Sequence, residues 1–303
     1  MYLSKETANI EDKQLIDCFN DNYEFFYLDS MHYICENREI DTIITGLSYG
    51  MDGIDAEQLS FPSLNFSMRA QDLYYDFLHA QYAVKKNKGK IKRCIITLGL
   101  YSLHYDLSLS SNKFKCIKIY EPLFGDCHHA TAAKLDVQNA VWDRSREFAH
   151  IFFGENPSFY GKAITRKHTS IYVASKGGWE NLSEIQRKEY ANNLAEKHNK
   201  HIKYEQTFEE NCIILKEYIK FLMDNKIMPI VVVLPFSREY LDCISPVYQE
   251  KILEELEKMK YRIDYINMNE GNLFETKDFS DADHLNERGA AKATELMDIF
   301  LSR

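Results

Sequence analysis

Two short segments at opposite ends of the chain hold residue types that could do acyl chemistry together. The first, Thr45-Gly46-Leu47-Ser48-Tyr49-Gly50-Met51-Asp52-Gly53, spends three of only twelve glycines within eight residues. A serine in such a turn presents its hydroxyl close to backbone N–H groups. Those groups can stabilise the oxyanion that forms when a serine attacks a carbonyl. The competing reading of the same residues is that Ser48 caps a helix and the glycines only shape a turn. The second segment runs over residues 278–290 and holds one histidine, His284, with Asp281 and Asp283 three and one residues before it. A histidine fixed just before a helix start, with carboxylates near enough to orient its ring, suits a general base. Asn286 is placed to cap that helix, and Ala290, Ala293, Met297 and Phe300 give it an apolar face.

These residues need a scaffold, and the apolar pattern supplies one. Runs at 40–47, 94–100 and 227–234 are too short for helices and rich in β-branched residues, so they read as buried strands. Further strands are expected at 63–68 and 261–268. Helices are expected over 71–87, 207–225, 247–259 and 286–301, the clearest being 207–225 with Leu215, Tyr218, Ile219 and Leu222 on one face. Such alternation predicts an α/β fold, a mostly parallel sheet covered on both faces. The pattern breaks over residues 101–204, which are rich in aromatics, histidine and charge and contain no strong strand. Helical patterns at 135–153 and 183–201 and a Gly177-Gly178-Trp179 turn lie within it. It reads as a mainly helical insertion or lid within a single domain of 303 residues, after a lead-in over 1–39.

Composition narrows the function. Apolar residues at 45% can bury a core without metal or disulfide staples, and a net charge of -9 argues against binding nucleic acid through phosphate contacts. The seven cysteines are an odd number with no CxxC pair. They read as reduced thiols, and with no signal peptide or membrane-spanning run this predicts a cytoplasmic protein. The glycine turn has neither the dinucleotide fingerprint nor a Gly-Lys-Ser/Thr phosphate loop, so no organic cofactor is expected. No metal is expected either. Cys127-His128-His129 reads as a loop whose adjacent histidines diverge, and His198 and His201 read as part of a solvated helix face.

The two chemical segments together resemble the first and last sequence blocks of the SGNH/GDSL hydrolases. The branch most similar includes sugar O-acetyltransferase-like and D-alanyl-transfer-associated proteins. The resemblance implies a flavodoxin-like three-layer α/β/α sandwich with Ser48 as nucleophile, His284 as base and Asp281 as the acid that orients it. Asp283 competes for that third role, but as the histidine's immediate neighbour it is expected to point away from the ring. The second block of the family supplies a glycine N–H to the oxyanion, whereas this chain has Arg69-Ala70; the third is Gly-x-Asn-Asp, whereas this chain has Gly99-Leu100-Tyr101-Ser102. Oxyanion donors are therefore expected among the N–H groups of Ser48 and Ala70 and the hydroxyls of Tyr101 and Ser102. Arg238 and Tyr240, after the fourth strand, are candidates to touch substrate. The implied function is a serine esterase or acyltransferase acting on small-molecule or glycan O-acyl esters, with the acceptor and the oligomeric state left open. The alternative is an SGNH-fold protein that binds a glycan or partner without turnover, which the altered second and third blocks favour.

Overall fold

In the computed structural model, which describes residues 23–130 and 170–303, five strands form one sheet. They are β1 (Thr42–Gly46), β2 (Ser63–Asn65), β3 (Arg93–Leu98), β4 (Met228–Val233) and β5 (Asp264–Asn267). Every pairing is parallel and the order is β2-β1-β3-β4-β5. Consecutive residues such as Ile43 and Ile44, Ile95 and Ile96, and Val231 and Val232 are all fully buried. Neighbouring strand residues point to opposite faces, so both faces of the sheet are covered. Each such side chain contributes about 1.5–3 kcal/mol by leaving water.

The helices are α1 (Tyr23–Asn37), α2 (Ser48–Gly53), α3 (Leu73–Lys86), α4 (Glu184–Asn199), α5 (Glu205–Asp224), α6 (Val247–Glu257) and α7 (Glu287–Leu301), besides shorter turns. Helices α3 and α5 pack on each other, with Phe77 stacked on Tyr218 at 5.1 Å, and they cover β1 and β4. Helix α7 packs on α2, which brings the last element of the chain to the end of the first strand.

All five expected strands are present, trimmed at their ends. The region 261–268 shortens to a half-buried edge strand, β5. The lead-in does more than expected: α1 buries Phe25, Phe26 and Leu28 and packs on α3 and β2. The described residues within 101–204 contain no strand, and α4 supplies the expected polar helix, started by a reciprocal Ser183–Gln186 capping box. The helix expected at 135–153 lies outside the described residues.

Candidate active site

Ser48 stands where β1 ends, and the backbone there is tightly constrained. Gly46 has φ 145°, and a Cβ on it would lie 1.9 Å from Thr97 Oγ1. A Cβ on Gly50 would lie 2.1 Å from the same oxygen. The first turn of α2 is thus pressed against β3, which only glycine permits at these two positions. The helix is capped by Leu47 without a side-chain bond, so the Ser48 hydroxyl is not used as a cap. Ser48 is half-buried, and its Oγ lies 2.8 Å from His284 Nε2, a residue 236 positions away.

The loop that carries His284 is braced on every side. Ser280 N–H donates to the His284 carbonyl at 2.9 Å, Asn286 N–H donates to the Asp278 carbonyl at 3.0 Å, and Ser237 N–H, just after β4, donates to the Ala282 carbonyl at 3.0 Å. Asn286 caps α7 as expected, accepting from the Arg288 and Gly289 N–H groups. Asp281 Oδ1 accepts from His284 Nδ1 at 3.0 Å and also from the backbone N–H groups of His284 and Asp283.

Asp283 does not point away from the ring. Its Oδ1 lies 2.9 Å from the same Nδ1, and its Oδ2 accepts from the Tyr49 hydroxyl at 2.9 Å. The expectation failed because Asp281 pins both following N–H groups, and this tight turn folds the next side chain back over the imidazole. Burial disfavours charge on His284, but Asp283 and then Asp281 outweigh it and hold the imidazole well above its ordinary pKa. Burial also opposes charge on Asp283, yet His284 and the Tyr49 hydrogen bond hold its carboxyl below the usual range. Asp281 moves the other way, raised chiefly by burial. The two carboxylates thus differ in character: Asp281 holds the backbone and Asp283 carries the firmer charge.

The remaining candidates separate. Ala70 has φ 59°, the left-handed conformation that favours glycine, in a turn closed by the Gln71 N–H donating to the Met68 carbonyl. The backbone here keeps the geometry of a glycine turn although the glycine is absent. Beside it Arg69 is buried and ion-paired at 3.5 Å with Asp52 of α2, whose carboxyl is pushed up to about 6, first by burial. Ser102 is spent on the turn after β3, its Oγ accepting from Gly99 N–H at 2.8 Å. The Tyr101 and Tyr49 hydroxyls lie 3.3 Å apart, and since the one Tyr49 proton goes to Asp283, Tyr101 is the donor in a chain running through Tyr49 to Asp283.

Arg238 is exposed and pairs with Asp242 along its own helical turn, a solvated position. Tyr240 is fully buried, with its hydroxyl 2.6 Å from His198 Nδ1. His198 itself is a residue the sequence reading placed on a solvated face. It lies 4.3 Å from the Tyr101 ring, and burial lowers its pKa to about 4. The buried face of α4 is made by Ala191 and Ala195, too small to leave an apolar stripe. His128 and His129 also depart from expectation: their rings lie 4.0 Å apart and converge with Asp106 and Glu210. Asp281, Asp283 and His284 form the other group among the described residues whose ligand atoms lie close enough to hold a cation.

No protein-family profile and no curated protein matches the sequence. Solved structures with a similar course of the chain include a protein assigned to the G-D-S-L lipolytic family from Desulfitobacterium hafniense DCB-2, at 12% identity, TM-score 0.40, covering 86% of this chain and 98% of that one. A Streptococcus pneumoniae protein assigned as a platelet activating factor is 8% identical, with TM-score 0.44 and coverage of 96% and 100%. A GDSL-like lipase from Bacteroides thetaiotaomicron VPI-5482 is 11% identical, with TM-score 0.40 and coverage of 91% and 100%. At these scores the likeness adds no argument about activity, which has to come from the side chains.

Proposed function

We propose that this chain is a serine esterase or acyltransferase of the SGNH type, acting on an O-acyl ester of a carbohydrate through an acyl-serine. The observation that supports it is the hydrogen-bonded line from Ser48 Oγ to His284 Nε2 and from His284 Nδ1 to Asp281. In the first step Oγ bonds to the ester carbonyl carbon as Nε2 takes the hydroxyl proton. The N–H groups of Ser48 and Ala70 are the proposed donors to the tetrahedral oxyanion, since the Ser102 hydroxyl is already engaged in its own turn. Collapse breaks the bond to the leaving alcohol, which receives the proton from Nε2. Water or a sugar hydroxyl then attacks the acyl-serine with His284 again acting as base, which regenerates Ser48. Asp281 orients the imidazole, and Asp283 stabilises its charged form. Residues 101–204 act as an insertion bordering the site, a reading supported by Tyr101 and His198 meeting from its two ends.

The test is labelling of the folded protein with a fluorophosphonate, alongside hydrolysis of a short acyl ester. Labelling of the wild type that disappears in Ser48→Ala, with ester turnover lost in parallel, is the expected result. A folded wild type that stays unlabelled across pH overturns the catalytic reading in favour of a binding protein.

A further inference from the structure

A second cluster of ionisable groups gathers where the turn after β3, the loop near residue 128 and the start of α5 meet. Asp106 precedes a short helical turn (Leu107–Leu109), and its Oδ1 accepts from the Ser108 N–H at 2.7 Å and hydroxyl at 2.5 Å. His128 takes φ 52°, stacks on Tyr74 at 4.0 Å and donates its N–H to Asp126 Oδ1 at 2.7 Å. Its Nδ1 is 3.5 Å from Asp106 Oδ1, and its Nε2 is 3.4 Å from Glu210 Oε1. His129 Nε2 lies 2.9 Å from Glu210 Oε1. One ligand atom from each of the four residues falls within 4.8 Å of every other.

Ion pairing explains only part of this arrangement. It accounts for His129 against Glu210 at the surface and for His128 Nδ1 facing Asp106 Oδ1, but Asp106 Oδ2 is a buried polar atom without a hydrogen-bond partner among the described residues. The Asp106 and His128 side chains are only 4% and 9% exposed, so water does not readily satisfy them. Four-coordinate zinc, at about 2.0–2.2 Å from nitrogen and oxygen ligands, sets ligand atoms about 3.3–3.6 Å apart; with one nitrogen of His128 serving, small side-chain adjustments bring the four atoms, now within 4.8 Å of one another, to that spacing. Two imidazoles and two carboxylates suit that ion, whereas calcium and magnesium require oxygen ligands in larger number. Cys127 stands outside the group, its thiol donating to the Ala130 carbonyl.

We propose that Asp106, His128, His129 and Glu210 form a Zn2+ site, separate from Ser48 and His284, that clasps the loop near residue 128 to α5. Ser108 acts as a positioning residue that fixes the Asp106 carboxylate. The test is titration of the chelator-treated full chain with Zn2+ against a competing chromophoric chelator, and with Co2+ read by its ligand-field absorption. One ion per chain is expected, with a four-coordinate Co2+ spectrum. His129→Ala and Glu210→Gln, both at partly exposed positions where folding can be checked by circular dichroism, should each weaken binding more than about 100-fold. That exceeds the 10–100-fold that outer partners cost and that Ser108→Ala should show. His284→Ala should bind as the wild type does. The absence of one-to-one binding, equal affinity in wild type and His129→Ala, or loss confined to His284→Ala each overturns the proposal. None of these outcomes bears on fluorophosphonate labelling of Ser48.

Discussion

Two carboxylates meet one imidazole nitrogen of His284, and on the proposed reading they share what a single acid does in a triad. Because Asp283 and Asp281 hold His284 protonated well above 6.5, kcat/KM should rise with pH through a midpoint above that value. Asp283→Asn removes the largest charge raising it, so its midpoint should fall toward 6.5 and the variant should keep more of its own maximum in acid. A pH–rate profile measures this, and an unmoved midpoint would show that Asp283 does not govern the base. Asp281→Asn keeps an amide oxygen for the two backbone N–H groups but loses the carboxylate charge that faces Nδ1, so its maximum should drop further, by up to about 10⁴-fold if Asp281 alone sets the tautomer of the ring. The same shifts act on stability. The raised His284 pKa stabilises the fold fully below 6.5, and that share is lost as pH rises through the folded value. The lowered Asp283 pKa stabilises it above the ordinary carboxylate range, and that share is lost as pH falls through the folded value.

The elements were legible in the sequence to the degree that burial left a pattern. Strands β1, β3 and β4 lie inside the sheet with both faces covered, so they appear as unbroken apolar runs. The edge strands β2 and β5 are short, β5 being also half-covered, and their ends were overread. Ser48, Asp281 and His284 were legible because each sits beside an element boundary marked by glycine or a cap. Asp283, His128 and His198 were not: the first two owe their direction to single backbone turns, and the third to a helix face made of alanine. The junction of β1 and α2 gives an element-scale prediction. Gly50→Ala places a Cβ 2.1 Å from Thr97 Oγ1 and 2.6 Å from Ser67 Oγ, an overpacking that should cost about 1–3 kcal/mol. Thr97→Ala alone gives up its bond to the Thr45 carbonyl, about 1 kcal/mol. Combined, the two should fall short of their sum by at least about 0.5 kcal/mol in denaturant melts; strict additivity would mean that the helix shifts away from β3 instead.

At the scale of the whole molecule, the parallel sheet makes nearly every strand pairing a contact between distant parts of the chain, and such topologies fold slowly. Among the described residues no helix is long and apolar enough to cross a membrane, and six cysteines are free thiols. Ser48 follows the first strand, while His284 lies on the loop that precedes α7, where Gly289 packs against the Asp278 carbonyl. Fluorophosphonate labelling followed during refolding should therefore rise with the burial of Met297 on α7 and not with early secondary structure. Labelling that precedes helix docking would contradict this. On the reading proposed above, the 236-residue gap closed by one hydrogen bond thus acts as a lock on timing: Ser48 keeps the reactivity of an ordinary alcohol until α7 has docked.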